Sequence, residues 1–164
     1  MSDLATFRFW SDDLKGGAFD LEHVYNSFGC SGGNVSPHLA WSGAPQGTQS
    51  FVITVYDPDA PTGSGFWHWV VANIPAGTSM IAADASRTPR MPARSIETRT
   101  DFGTTGYSGP CPPAGDQPHR YIFTIHALRE AKLNVDADAS GALVGFTANA
   151  HRIASASFTA RYGR

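Results

Sequence analysis

Glycine and proline interrupt this sequence at short intervals, and this spacing argues against a bundle of long helices. The 164 residues include 17 Gly and 11 Pro, about one residue in six, where average usage gives roughly one in eight. Between the interruptions, apolar and polar residues alternate with the period of two that is typical of β-strands. The alternating runs cover residues 7–10, 51–56, 67–74, 121–128 and 155–162. The sequence therefore predicts a mainly β protein.

One segment, residues 139–153, has helical periodicity instead. Asp138 or Ser140 can cap its first turn. Apolar residues recur there at spacings of three and four, which predicts a helix that packs one apolar face on the sheet. That face consists of Leu143, Phe146, Ala150 and Ile153.

Charge and length limit the class of protein. Twelve basic and 14 acidic residues are scattered along the chain, so no basic stripe is available to follow a nucleic acid. No apolar run approaches the roughly 18 residues of a membrane-spanning helix, and the first residues lack the pattern of a signal peptide. No repeat or linker divides the chain. We expect a single domain over 1–164, located in the cytoplasm, with no nucleic-acid partner and no integral membrane association.

The two cysteines, Cys30 and Cys111, leave their pairing open. Two cysteines do not define a disulfide framework, and a reducing compartment keeps such residues as thiols more often than not.

Between residues 75 and 118 the periodicity disappears for 44 residues. A compact domain seldom contains so long an aperiodic stretch unless it has a function or an irregular but ordered structure. Two islands with prolines and ionisable side chains border or lie in this stretch, at residues 56–73 and 106–121.

In the first island, strand parity places Asp57 in line with the apolar residues of 51–55 at the strand end. Prolines 58 and 61 keep the backbone around Asp57 and Asp59 extended. On the returning strand, parity predicts that His68 shares a face with Val70 and Ala72.

In the second island, His119 and Tyr121 are two residues apart and share a face with Phe123 and Ile125, while Arg120 points the other way.

The ionisable residues of both islands also have ordinary structural explanations. An Asp before Pro often makes only turn hydrogen bonds, and a lone His is usually a core or rim residue. However, two His, one Tyr and two Asp at strand ends are difficult to explain as core packing, because buried polar groups need partners. Their convergence predicts a site.

The donors of this site favour a small anion. Imidazole N–H, phenol O–H and backbone N–H groups near Gly109 can all donate, and Asp57 can accept either an imidazole N–H or a proton from a monoprotonated phosphate. Trp67, Trp69 and Tyr107 are candidates for an apolar wall, and a loop stiffened by Pro110, Pro112 and Pro113 for its frame.

Enzymatic alternatives have weaker support. Residues 106–110 depart from the G-x-S-x-G pattern of serine hydrolases because Pro110 replaces the last glycine. No zinc or nucleotide-binding motif is present. A hydrolase or isomerase with His119 or His68 as general base and Asp57 as its orienting group is the principal alternative. An inhibitor that acts through surface loops alone is another.

Several runs of the sequence, considered together, resemble a known family. These are Asn-Val-Ser-Pro-His-Leu-Ala-Trp at 34–41, Asp-Pro-Asp-Ala-Pro at 57–61, His-Trp-Val-Val-Ala-Asn at 68–73, Gly-Pro-Cys-Pro-Pro at 109–113 and His-Arg-Tyr at 119–121. In order and spacing they resemble the phosphatidylethanolamine-binding protein family, also called Raf kinase inhibitor-like, and in particular its small bacterial-type members. The resemblance extends from about residue 7 to residue 164.

The resemblance implies an antiparallel β-sandwich with Greek-key connections and one or two peripheral helices. It implies a non-enzymatic protein that needs no cofactor or metal and has a pocket for phosphate or a phospholipid headgroup. Regulation of a partner kinase or protease and a homodimer are further expectations. The family's pocket residues correspond to Asp57, Asp59, His68, Gly109, His119 and Tyr121, with Trp67, Tyr107, Pro110 and Pro112 as the expected wall. Trp67 replaces a second His of the animal members, and Cys111 is inserted in the Gly-Pro-Pro loop.

Overall fold

The computed structural model describes residues 6–164, which form two antiparallel β-sheets and one α-helix. This confirms the predicted fold class. The three-stranded sheet has the order β1-β2-β5, and the five-stranded sheet has the order β6-β4-β3-β7-β8. In chain order the elements are β1 (Arg8–Trp10), a 3-10 helix (Leu21–His23), β2 (Leu39–Ser42), β3 (Ser50–Asp57), β4 (Phe66–Pro75), β5 (Met80–Ile81), β6 (Ile96–Glu97), β7 (His119–Leu128), α1 (Gly141–His151) and β8 (Arg152–Tyr162).

The central strand β3 is buried on both of its faces. Phe51, Ile53 and Val55 point into the core between the two sheets, whereas Val52 points toward helix α1. Each fully buried side chain of this size contributes roughly 1.5–3 kcal/mol to folding. The end of β3, where Asp57 lies, is therefore fixed by two apolar layers.

Helix α1 is shorter than predicted and presents a different face to the sheet. Ser140 is its N-cap and accepts the N–H of Leu143. The buried residues are small, namely Gly141, Val144 and Ala148. Small residues let the helix approach the sheet closely, and a Cβ at Gly141 would collide with the Trp67 ring. The predicted inward face is wrong, because Leu143 and Phe146 are exposed, Ala150 is also exposed and Ile153 belongs to β8.

Strands β2, β5 and β6, of two to four residues each, are not among the runs that the alternation predicts. The aperiodic segment is ordered but irregular, which is one of the two possibilities that its length and lack of periodicity leave open. Its order comes partly from Glu97, whose carboxylate accepts hydrogen bonds from the Trp69 indole (2.9 Å), the Ser86 hydroxyl and the Arg87 N–H (2.8 Å). Hydrogen bonds of this kind leave no periodic pattern in a sequence.

Cys30 and Cys111 form a disulfide, which settles the pairing that the sequence leaves open. The bond joins the glycine-rich segment after the 3-10 helix to the proline-rich loop before β7.

Candidate functional site

A cavity of about 390 Å³ opens at the end of the large sheet where β3 finishes and where β4 and β7 begin. One side, here called the strand wall, consists of Asp57, Phe66, His68, His119 and Tyr121. The other lining residues lie in loops and are here called the loop wall: Phe28, Ala60, Pro61, Thr62, Asp101, Phe102, Cys111, Pro112 and Pro113. The structure thus brings together four of the six predicted contact residues, along with the predicted wall residue Pro112.

Strand parity correctly places the side chains from β3 and β7. Asp57 is buried at the end of the apolar face of β3. On β7, His119 and Tyr121 lie on the face that continues with Phe123, while Arg120 is exposed on the other face. Because β3 and β7 are neighbouring antiparallel strands, these three side chains meet at one end of the sheet.

His68 reaches the cavity through a β-bulge. The β3–β4 register shifts between Val55 and Tyr56, so His68 is the additional residue on β4. The predicted parity is therefore wrong: Val70 and Ala72 face helix α1, whereas His68 faces the cavity. A bulge reverses strand parity, and alternation alone does not reveal it.

The hydrogen bond of the His68 ring fixes its tautomer. Nδ1 lies 2.8 Å from the carbonyl oxygen of Ser108, and because a carbonyl only accepts, Nδ1 carries the proton. Burial lowers the pKa of His68, although the Ser108 hydrogen bond, the charge of Asp57 and the Gly109 backbone oppose that shift. His68 is thus neutral near pH 7.

Tyr121 lies beside His68 and is 1% exposed, with the two rings 5.2 Å apart. Its hydroxyl group is buried and makes no hydrogen bond to any group within residues 6–164. Burial raises the pKa of Tyr121, and the charge of Asp57 raises it further. The hydroxyl therefore stays protonated and can donate to a ligand. An unpaired buried polar group costs about 1–3 kcal/mol, so a ligand that accepts this hydrogen bond recovers that energy.

His119 is held between two carboxylates. Its Nδ1 lies 2.7 Å from Asp57 Oδ2, and its Nε2 lies 2.9 Å from Asp116 Oδ2. Burial by itself lowers the pKa of His119, but the hydrogen bonds to Asp116 and Asp57 outweigh it and raise the pKa overall. Both ring nitrogens of His119 are therefore already hydrogen-bonded to carboxylates. Asp116 is not among the predicted site residues, since it lies in the loop before β7, three residues before His119.

Asp59 lies near the cavity but does not line it. Its carboxylate binds the Arg120 guanidinium through two oxygens, at 2.9 and 3.0 Å, and also accepts the Arg120 N–H. The Arg120 side-chain hydrogen bond holds the pKa of Asp59 at about 2. Meanwhile the Asp59 N–H donates to Asp57 Oδ1 at 2.8 Å. Asp59 therefore positions Asp57 from outside the cavity.

Gly109 also lies outside the cavity, and its N–H is occupied. This N–H donates to the side-chain oxygen of Asn34 at 2.7 Å. A Cβ at this position would collide with the His23 carbonyl oxygen, so the close approach of the two segments requires glycine.

The other three predicted wall residues are part of the frame. The Tyr107 hydroxyl donates to the His23 carbonyl at 2.7 Å, and the Pro110 carbonyl accepts the Tyr25 N–H at 2.9 Å. Trp67 packs toward helix α1. These contacts hold the loops around the cavity in place.

The aromatic part of the cavity is built from residues that the sequence did not indicate. Phe66 and Phe102 have ring centroids 4.7 Å apart, Tyr25 stacks on Phe102 at 4.3 Å, and Phe28 lies 5.4 Å from Phe102. Phe28 and Phe102 lie in turns, where no alternation or helical spacing distinguishes them.

The loop wall is tied together at two points. The first is the Cys30–Cys111 disulfide. The second is Arg164, whose guanidinium donates to the carbonyl oxygens of Pro112 (2.7 Å) and Gly29 (3.4 Å). Both connections join the segment that contains Phe28 to the loop that contains Pro112.

Within residues 6–164, no cluster of three or more His, Cys, Asp or Glu side chains is arranged to hold a metal ion. No helix in the same range is both long and apolar enough to cross a membrane.

Comparison with known proteins agrees with this architecture. The sequence model of the phosphatidylethanolamine-binding protein family matches residues 14–163. The UPF0098 protein YbhB of Escherichia coli is 54% identical over 154 residues, which cover 93% of this chain and 97% of YbhB. The UPF0098 protein YbcL of the same organism is 50% identical over 161 residues, which cover 96% of this chain and 88% of YbcL.

Solved structures agree as well. The crystal structure of Escherichia coli YbcL, described as a member of the mammalian PEBP family, superposes with a TM-score of 0.94 at 50% identity, covering 98% of this chain and 99% of YbcL. A homologue from Chlamydia trachomatis superposes with a TM-score of 0.81 at 26% identity, covering 99% of each chain. The chain belongs to the phosphatidylethanolamine-binding protein family, as the resemblance of its motifs implies.

Proposed function

We propose that this chain is a non-enzymatic binding protein whose cavity takes a small anion: inorganic phosphate, a phosphorylated headgroup or a carboxylate. Membership of the family supports a binding role. The observation that carries the proposal is the unpaired, buried hydroxyl of Tyr121, which lines the cavity beside His68. A buried donor without a partner is rare in folded proteins, and an anionic oxygen is the partner that it binds most strongly.

The shape of the cavity supports a ligand with an apolar portion as well. Phe28, Phe66 and Phe102 add aromatic surface to the lining of the cavity. A phosphate or carboxylate bound at the strand wall would direct its organic part toward these rings. Modulation of a partner kinase or protease stays a prediction.

The geometry argues against His119 as the general base of the alternative hydrolase or isomerase. A general base needs a ring nitrogen that can reach the proton of its substrate. Both nitrogens of His119 are hydrogen-bonded to carboxylates, and Asp57 orients that histidine with one oxygen while the other accepts the Asp59 N–H.

Titration of the protein with inorganic phosphate, followed by NMR of the His68 and His119 rings and by calorimetry, tests the proposal. We expect shifts of these ring signals at millimolar phosphate or below. In Tyr121→Phe, binding should weaken by about 1.5–3 kcal/mol, because a hydrogen bond to a charged group is lost, while the fold stays intact. Tyr56→Phe is the matched control, since the Tyr56 hydroxyl donates to Ser64 outside the cavity. Absence of any shift at millimolar phosphate would refute the proposal.

A further inference from the structure

We infer that the cavity selects an oxyanion that still carries a proton, such as monoprotonated phosphate or a phosphate monoester. It discriminates against oxyanions without a proton, such as sulfate or a phosphate diester. The inference rests on the proposed function and specifies the chemical class of its ligand.

The first argument is that the strand wall presents a hydrogen-bond acceptor as well as a donor. His68 is neutral and its proton is on Nδ1, bound to the Ser108 carbonyl, so Nε2 carries a lone pair. The side-chain hydrogen bond that the structure gives the His68 ring is at Nδ1, and His68 lines the cavity. A lone pair next to a ligand is satisfied by a donor on that ligand, and a P–O–H group is such a donor. The Tyr121 hydroxyl supplies the complementary donor for a charged oxygen.

The second argument is that the remaining carboxylate and imidazole groups are already paired. Asp57 binds the Asp59 N–H with one oxygen and His119 with the other. His119 donates to Asp57 and to Asp116. The positive charge of the imidazolium is therefore opposed by two carboxylates before any ligand binds.

The third argument is the charge of the lining. The cavity-lining residues within 6–164 include the carboxylates of Asp57 and Asp101 but no Lys or Arg. Arg120, which follows His119 in the chain, is bound to Asp59, and Arg164 is bound to the Pro112 carbonyl. A dianion would enter without a net positive charge to offset its own, whereas a protonated monoanion brings one charge fewer and one donor more.

The titratable groups near His68 and His119 come from several elements of the fold. Asp57 on β3, Tyr121 on β7 and Asp101 in the loop after β6 act on His68. Asp57, Asp116, Asp59 and Tyr162, the β8 neighbour of His119, surround the second ring. A phosphate monoester gains a proton as the pH falls below about 6, since its second pKa is about 6.

Calorimetric comparison of methyl phosphate with dimethyl phosphate at pH 5, after NMR of the His68 ring has shown that it is neutral at that pH, tests the inference. Both are predominantly monoanions there, but only methyl phosphate retains a P–O–H group. We expect methyl phosphate to bind at least about tenfold more tightly, and its affinity to fall at least about tenfold between pH 5 and pH 8. Sulfate at pH 5 should bind more weakly than methyl phosphate.

Substitution of His68 distinguishes this selectivity from a simple difference in ligand size. In His68→Gln, the amide can donate to an unprotonated oxygen, so the preference for methyl phosphate should shrink to less than about threefold. His151→Gln, at the far end of α1, should retain the wild-type preference. Equal or tighter binding of dimethyl phosphate by the wild type would overturn the inference, but it would not contradict the proposed anion-binding function. Failure of inorganic phosphate and both esters to bind would overturn the proposed function together with the inference.

Discussion

The two walls of the cavity are stabilised in different ways. The strand wall is buried: His68, His119, Tyr121 and Asp57 are each no more than 4% exposed and lie at the ends of strands fixed by two apolar layers. On the loop wall, Phe28 is 72% exposed, and the wall is tied by a disulfide and by Arg164. The polar groups proposed to bind a ligand, on His68 and Tyr121, are thus on the buried wall, while the exposed aromatic ring of Phe28 is on the loop wall. Loss of the unpaired Tyr121 hydroxyl on the strand wall should therefore affect binding without affecting stability, and changes to the ties of the loop wall should affect stability.

The largest effect is expected from removal of the disulfide. Cys30 and Cys111 are 81 residues apart, and closing so long a loop restricts the unfolded chain strongly. The double variant Cys30→Ser, Cys111→Ser should lose about 2–4 kcal/mol of unfolding free energy, measured by urea denaturation. Tyr121→Phe, on the strand wall, should lose none, because it removes an unpaired hydroxyl.

A reducing agent supplies the control. It should destabilise the wild-type protein to the level of the double variant and leave the double variant unchanged. Equal stability of the oxidised and reduced wild type would contradict the assigned role of the disulfide. The cytoplasmic location expected from the sequence stays a prediction, and this bond bears on it, since disulfides persist mainly in oxidising compartments.

A second prediction separates the two histidines of the strand wall by the sign of their pH dependence. The pKa of His119 is raised in the folded protein, so its protonated ring stabilises the fold. This contribution is complete below pH 6.5 and is lost as the pH rises through the raised pKa. The loss should be about 1.5–3 kcal/mol, the value of hydrogen bonds to a charged group. The lowered pKa of His68 acts in the opposite direction, so its contribution is complete above pH 6.5 and is lost as the pH falls.

Urea denaturation between pH 4 and pH 9 measures both effects. His119→Gln should flatten the alkaline side of the stability profile, and His68→Gln should flatten its acid side. If the two variants had the same profile, the assignment of a charged His119 and a neutral His68 would be wrong.

Most of the strand wall could be predicted from the sequence because period-two alternation reports strand faces directly. That pattern correctly assigned Asp57, His119 and Tyr121 to one end of the sheet. It assigned His68 to the right strand but the wrong face, since a bulge adds one residue without any local signature.

The loop wall could not be predicted because its order depends on contacts between distant segments. Phe28 and Phe102 approach each other only after the chain has folded, and Arg164 reaches Pro112 across 52 residues of sequence. The apolar spacing in helix α1 was similarly misleading, because packing through small residues left Phe146 in solvent.

The smallest effect is expected at Asp59, next to the strand wall but outside the cavity. Its ion pair with Arg120 is partly exposed, and such pairs contribute roughly 0–1 kcal/mol. Arg120→Gln should therefore change the unfolding free energy least of these variants and leave phosphate affinity unchanged, as measured by denaturation and calorimetry. Asp59→Asn should behave in the same way, because the backbone N–H of Asp59, which holds Asp57, is retained. A tenfold loss of phosphate affinity in Asp59→Asn, without the same loss in Arg120→Gln, would place the Asp59 carboxylate in direct contact with the ligand.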